Sequence, residues 1–141
     1  DPGVQCMGAQ EFDYVIYPHS GSQEEPRILL EALKNRSSLQ TVQAGRVGGE
    51  LSDSMSMIDV TGSDVIITCI KKAEDSEDIV VRGFNPTDEE VSLKLSTGFA
   101  MKKVELVSIT ERDAETVPHE SNSLEMTIAK KKIFTLAIQQ G

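Results

Sequence analysis

Residues 65–95, VIITCIKKAEDSEDIVVRGFNPTDEEVSLKL, constrain this chain more than any other stretch. Three apolar, β-branched runs stand between two polar turns, one at 73–78 and one at 85–89. Runs of this length bounded by Asp, Ser, Asn and Pro predict a strand–turn–strand–turn–strand meander. In the first run Val65, Ile67 and Cys69 alternate with Ile66 and Ile70, so both faces are apolar. The second run is equally apolar. The third alternates Val91, Leu93 and Leu95 with Ser92, Lys94 and Ser96. Two central strands and one half-exposed strand are therefore expected.

The rest of the chain fits the same class. Residues 11–17 (EFDYVIY) alternate Phe12, Tyr14 and Ile16 with Asp13, Val15 and Tyr17, which predicts a strand with an aromatic face. Pro18-His19-Ser20-Gly21 ends it. A helix is expected over 23–35. Ser22 is its candidate N-cap, Glu24, Glu25 and Pro26 suit its first turn, and Leu29, Leu30, Ala32 and Leu33 form its apolar stripe. Short strands are expected at 39–44, 55–60, 99–107, 124–128 and 133–138. Residues 45–54, with three glycines and no period, read as flexible. Alternation slips near Lys102-Lys103, which predicts a bulge. Phe12, Phe84 and Phe134 lie in strand patterns and are expected in the core. Eight or nine strands and one helix imply a mainly all-β antiparallel sandwich with one short helix near the N-terminus. With 141 residues, one domain over 1–141 is the expectation. The first residue is Asp1, so the expected origin is a piece of something longer.

Charge narrows the partners. A formal net charge of −9 disfavours nucleic acid and anionic membrane, both of which need a cationic footprint. The one basic run, Lys130-Lys131-Lys132, reads as a solvated hairpin turn. Cys6 and Cys69 make neither a disulfide framework nor a metal knuckle, and reduced intracellular thiols are the default.

A search for chemistry yields little. His19 and His119 have no second ligand at metal spacing. The acidic turn at 74–78 lacks a calcium loop's glycine and ligand spacing. Gly45-x-x-Gly48-Gly49 has no following Lys-Ser/Thr, so it is weak as a phosphate loop. Paired carboxylates cannot be told from a solvated acidic surface. The chain has no Trp, two Tyr and four Phe, which is a poor supply of rings for packing on sugars.

Two segments carry a resemblance. Residues 70–91 resemble the C-terminal β-sandwich region of the family 38 glycoside hydrolases, the α-mannosidases, at Lys71, Glu74, Asp75, Arg82, Asn85, Pro86 and Glu89 or Glu90. Residues 5–21 are similar to a stretch of bacterial members ending in Tyr-Pro-His-x-Gly, matched by Tyr17, Pro18, His19 and Gly21. Ile133, Thr135 and Leu136 resemble the closing strand. Ser22-Gln23 stand where members often have an aromatic, Lys132 where a Glu is usual, and Gln10 where a His is common.

The resemblance implies a cytoplasmic parent enzyme that hydrolyses terminal α-mannosides with retention. That enzyme would use an aspartate nucleophile, a second carboxylate and a zinc ion, all in an N-terminal catalytic domain. No catalytic or zinc residue carries over to this chain. Its expected role is to support that domain and shape the active-site rim, with the catalytic domain of the same polypeptide as partner and a homo-oligomer possible. Tyr17 and His19 are the candidate active-site-facing residues. A lone His more often serves its own loop, and that is the preferred reading of His19. The alternative from another class is a free-standing carbohydrate-binding or protein-interaction module. The aromatic face of Phe12, Tyr14 and Ile16 is the candidate patch for a partner.

Overall fold

The computed structural model describes residues 8–21, 25–37, 39–45, 48–50, 52–61 and 64–141. Among them are a helix, α1 (Pro26–Arg36), and eight strands: β1 (Ile58–Thr61), β2 (Ile66–Lys72), β3 (Ile79–Phe84), β4 (Val91–Thr97), β5 (Met101–Leu106), β6 (Glu115–Thr116), β7 (Ser123–Ile128) and β8 (Ile133–Gln140). They form a three-stranded sheet, β1-β4-β7, and a five-stranded sheet, β2-β3-β8-β5-β6. Every strand pair is antiparallel. The protein is an antiparallel β-sandwich.

The core follows from side-chain alternation. Leu93 and Leu95 of β4 and Leu124 and Ile128 of β7 face inward from the smaller sheet. Val81 of β3, Val104 of β5, and Phe134, Leu136 and Ile138 of β8 face them from the larger one. The ring of Phe134 lies over Gly83. A Cβ on Gly83 would come 2.6 Å from the Ile66 carbonyl and 2.8 Å from that ring, so glycine is what lets the strands and the ring close up.

The meander is corrected in one respect. β2 and β3 do form a hairpin, but β4 leaves them and pairs with β1 and β7 in the other sheet. The alternation of β4 is the physical reason. Its polar face suits a small sheet with a solvated back, whereas β3 buries Val81 on one face and Val80 on the other and needs cover on both. The connection runs through Asn85-Pro86, where proline has no N–H for a ladder. β2 is likewise an edge strand rather than a central one. Ile70 is 55% exposed and Cys69 is half-buried, not a core residue. A register shift between Ile67 and Cys69 breaks the alternation expected there.

The bulge in the fifth strand is borne out, because the β5–β8 register shifts between Met101 and Lys103. The strand expected at 55–60 starts later, at Ile58. The acidic loop of 110–123 holds the two-residue β6.

The largest corrections fall before Ile58. Residues 11–17 and 39–44 form no strand and are exposed. Phe12 is 66% exposed and no core residue. α1 forms as Pro26 at N1 dictates, but its N-cap is Glu25, whose side chain makes no capping bond, and it carries no acid in its first turn. The proposed cap Ser22, with Glu24, lies outside the described residues. None of the helix residues is buried, although Leu29 and Leu30 head its apolar stripe. No described helix is long and apolar enough to cross a membrane.

Candidate functional site

Three polar arrangements deserve the name of candidate site. The first is the pair nominated by sequence. Tyr17 and His19 stack with ring centroids 6.3 Å apart and planes 17° from parallel. Both are exposed. Pro18 between them fixes the chain so that the two rings meet on one side of the loop. The stack presents a polar, aromatic edge, and among the described residues no carboxylate pairs with it.

The second lies on the outer face of the five-stranded sheet. Arg82 of β3 points away from the core. Its Nε donates to Thr135 Oγ1 at 3.1 Å and its Nη2 donates to the Ile109 carbonyl at 2.8 Å. Glu111, in the connection after β5, closes the group. Its Oε1 is 2.8 Å from Lys71 Nζ and 3.7 Å from Arg82 Nη2, and its Oε2 accepts the Glu74 backbone N–H at 2.9 Å. Lys71 also pairs with the Glu74 carboxylate. The loop is tight: Ser108 N–H donates to the Arg112 carbonyl, Glu111 N–H donates to the Ser108 carbonyl, and Glu111 and Asp113 take left-handed φ of 61° and 58°. The hydrogen bond from Lys71, then the Glu74 N–H, hold the Glu111 carboxyl below its usual range. The same contact with Glu111, then Glu74, raises Lys71. The arrangement clamps the 107–113 loop across the back of β3. Its carboxylates are all engaged by cations or N–H groups, so it is a structural latch rather than an acid–base pair.

The third is the corner after β3. Asn85 is fully buried. Its Nδ2 donates to the carbonyls of Glu89, Ile128 and Ala129 at 2.7, 3.2 and 3.1 Å. Its Oδ1 accepts from the N–H and Oγ1 of Thr87 at 2.8 and 2.7 Å. One side chain thus ties the β3–β4 crossing to the end of β7.

A groove of about 560 Å³ also runs along the back of the smaller sheet, past Lys94, Ser96, His119, Glu120 and Glu125. Several of its polar groups already have partners close by. Lys94 pairs with Glu125 at 3.6 Å, Ser123 donates to Glu120 at 3.2 Å, and His119 Nδ1 is 3.0 Å from the Val117 carbonyl. No Phe, Tyr or Trp lines it. Among the described residues no group of three or more His, Cys, Asp or Glu is placed to hold a metal ion.

So the motif residues Lys71, Glu74, Arg82 and Asn85 converge, in two places, on structural roles. Residues 64–136 match the family described as "Glycosyl hydrolases family 38 C-terminal beta sandwich domain". The chain belongs to this family. The matched residues hold β2 to β7 and the first half of β8, with the latch and the Asn85 corner, and begin after the segment that precedes β1. A curated relative, the "Putative mannosylglycerate hydrolase" of Halalkalibacterium halodurans, is 24% identical over 139 residues. That alignment covers 98% of this chain but 15% of the relative, so the chain spans a small part of the relative's length. No solved structure matches.

Sequence reasoning found Lys71, Glu74, Arg82 and Asn85 as markers without their roles, and it missed Glu111. Glu111 lies 37 residues from Glu74, in a loop whose acids all look alike. Nothing local in the sequence sets it apart from its neighbours.

Proposed function

We propose that this family 38 sandwich is a noncatalytic C-terminal domain of a longer cytoplasmic α-mannoside hydrolase. It packs against that enzyme's catalytic domain and shapes the rim of its active site. The observation that carries the reading is the family match over 64–136, which falls on the sandwich itself. The relative, of which this chain is a small fraction, supports both the larger parent and a mannose-containing substrate. The latch adds to the supporting role: the Glu74 and Glu111 carboxylates and Arg82 are spent on holding the 107–113 loop to the sandwich. The aspartate nucleophile, the second carboxylate and the zinc ion belong, on this reading, to the preceding catalytic domain. The Tyr17–His19 stack is the part of this chain assigned to face it, and assembly of the parent into homo-oligomers is compatible with this placement.

The test compares the 141-residue chain with the product of the complete reading frame. Each is incubated with an aryl α-mannoside and with mannosylglycerate, with zinc present. The longer protein is expected to hydrolyse one or both, and the short chain neither. Turnover by the short chain would overturn the assignment. Saturable heat on titrating the short chain with mannose oligosaccharides would instead favour a free-standing sugar-binding module.

A further inference from the structure

The first third of the chain carries the apolar content of a core without having one. Within residues 12–17, Phe12, Tyr14, Val15, Ile16 and Tyr17 are all exposed, Tyr14 at 86% and Ile16 at 92%. Further on, Leu39 and Val42 are about as bare, at 92% and 90%. Single exposed apolar residues are ordinary, but a contiguous set of this size marks a surface that something else covers. Among the described residues the apolar set of the sandwich is closed without them: the buried cluster and the hydrophobics packed on it begin at Ile58. The backbone link between the two parts is at Met57, whose carbonyl accepts from Gly98 N–H at 3.0 Å.

Three observations select the occupant. Residues 11–17 alternate in strand fashion, with Phe12, Tyr14 and Ile16 on one face and Glu11, Asp13, Val15 and Tyr17 on the other, a pattern that suits a sheet strand with one buried face. The family match stops at residue 64, whereas the alignment with the longer relative takes in nearly the whole chain, this segment included. The family is defined as a C-terminal domain, so in its members the remaining length precedes it. We infer that the described residues before Ile58 are not part of the sandwich but belong to the closing segment of a separate β-sheet domain upstream in the same polypeptide, with residues 11–17 entering its sheet as a strand and the Leu29–Leu30 side of α1 covered by it. The main-chain N–H and C=O groups of 11–17 supply affinity by pairing with a free sheet edge, and Phe12, Tyr14 and Ile16 supply the buried face. The sandwich is then tethered to that domain at Met57–Ile58. This rests on the reading above only in requiring a longer parent, not in requiring that the parent hydrolyse mannosides.

Hydrogen–deuterium exchange on the 141-residue chain and on the product of the complete reading frame tests it. In the short chain, amides of 11–17 are expected to exchange at nearly the unstructured rate while β3 and β8 are protected. In the longer protein the same 11–17 amides should slow by at least about a hundredfold. The paired change Tyr14→Asp with Ile16→Asp should restore fast exchange at 11–17 in the longer protein and lower its melting temperature, and leave the short chain's melting temperature unchanged. Unprotected 11–17 amides in a folded longer protein overturn the inference, as does a reading frame that adds no β-sheet domain upstream. If the longer protein protects 11–17 but hydrolyses no mannoside, the inference stands and the functional reading falls.

Discussion

β3 and residues 11–17 are close to the same sequence object. IVVRGF and EFDYVIY are each six or seven residues long and rich in β-branched and aromatic side chains, with one apolar face and one that mixes apolar and charged groups, Arg82 in the first and Glu11 and Asp13 in the second. One is the most enclosed strand of the molecule and the other is bare. β3 has β2 on one side, β8 on the other, the smaller sheet beneath its inner face and the 107–113 loop strapped over its outer face. Val80 and Val81, which point to opposite faces, are both fully buried. Residues 11–17 have none of these neighbours among the described residues. A strand-patterned apolar run is a demand for partners at its edges and over its apolar face, and the sequence of the run does not say whether this chain supplies them.

The sharpest way to break the comparison is to remove the same kind of side chain from the strand that flanks β3 and from the exposed first third that holds 11–17. Leu136 of β8 is fully buried, with Val81 and Leu106 as cross-strand neighbours. Leu136→Ala should cost about 3–4 kcal/mol, the transfer of the lost atoms plus an unfilled cavity. Leu39→Ala removes the same atoms from a side chain that is already in water, and should stay within about 0.5 kcal/mol. Urea titration followed by far-UV circular dichroism reads both. An equal loss at Leu39 would mean that the first third belongs to the sandwich's cooperative unit after all.

A smaller but still large effect is expected at the corner. Asn85→Ala leaves the buried Ile128 carbonyl, the part-buried Glu89 and Ala129 carbonyls and the Thr87 donors without this partner at once. Each loss is worth a fraction of the desolvation penalty of a buried polar group, and about 2–3 kcal/mol in total is expected. The urea midpoint should fall with the slope unchanged. A loss under about 0.5 kcal/mol would show that β4 crosses to the second sheet without this tie.

What the sequence could tell is what side-chain alternation can tell. The period-2 pattern of β4 reports one wet face, and Leu93 and Leu95 are buried while Lys94 is exposed. The slip at Lys102-Lys103 reports a bulge, and the register shifts there. Alternation says which faces are covered and not by what. That is why the pairing of β4 with β1 and β7 was not legible, nor the edge position of β2, nor the exposure of 11–17. The same limit applies to the candidate site. Lys71, Arg82 and Asn85 stand out because residue types recur at set spacings, yet their purpose depends on Glu111, Ile109 and Ile128, which only the fold brings near. Tyr17 and His19 were legible as a motif, and the structure adds that they stack.

The finest test concerns what seals β3's outer face, the cover that 11–17 lacks. Glu111 is held below the usual carboxylate range by Lys71 and the Glu74 N–H. A carboxyl depressed in the folded state contributes stability that is present above its unfolded value and is lost as pH falls through its folded value. Lys71 is raised, so its share is present below its unfolded value and fades as pH climbs past it. Glu111→Gln keeps the shape of the side chain and removes the charge. Melting temperatures measured across the acid range should therefore start lower in the variant at neutral pH and converge with the parent as acid protonates Glu111. The variant's curve is flatter on the acid side. Parallel curves would mean that the strap is held by the Arg82 hydrogen bonds to Thr135 and Ile109 alone. The ion pairs would then be incidental to the cover over β3, which would rest on neutral contacts of the kind an upstream sheet must supply to 11–17.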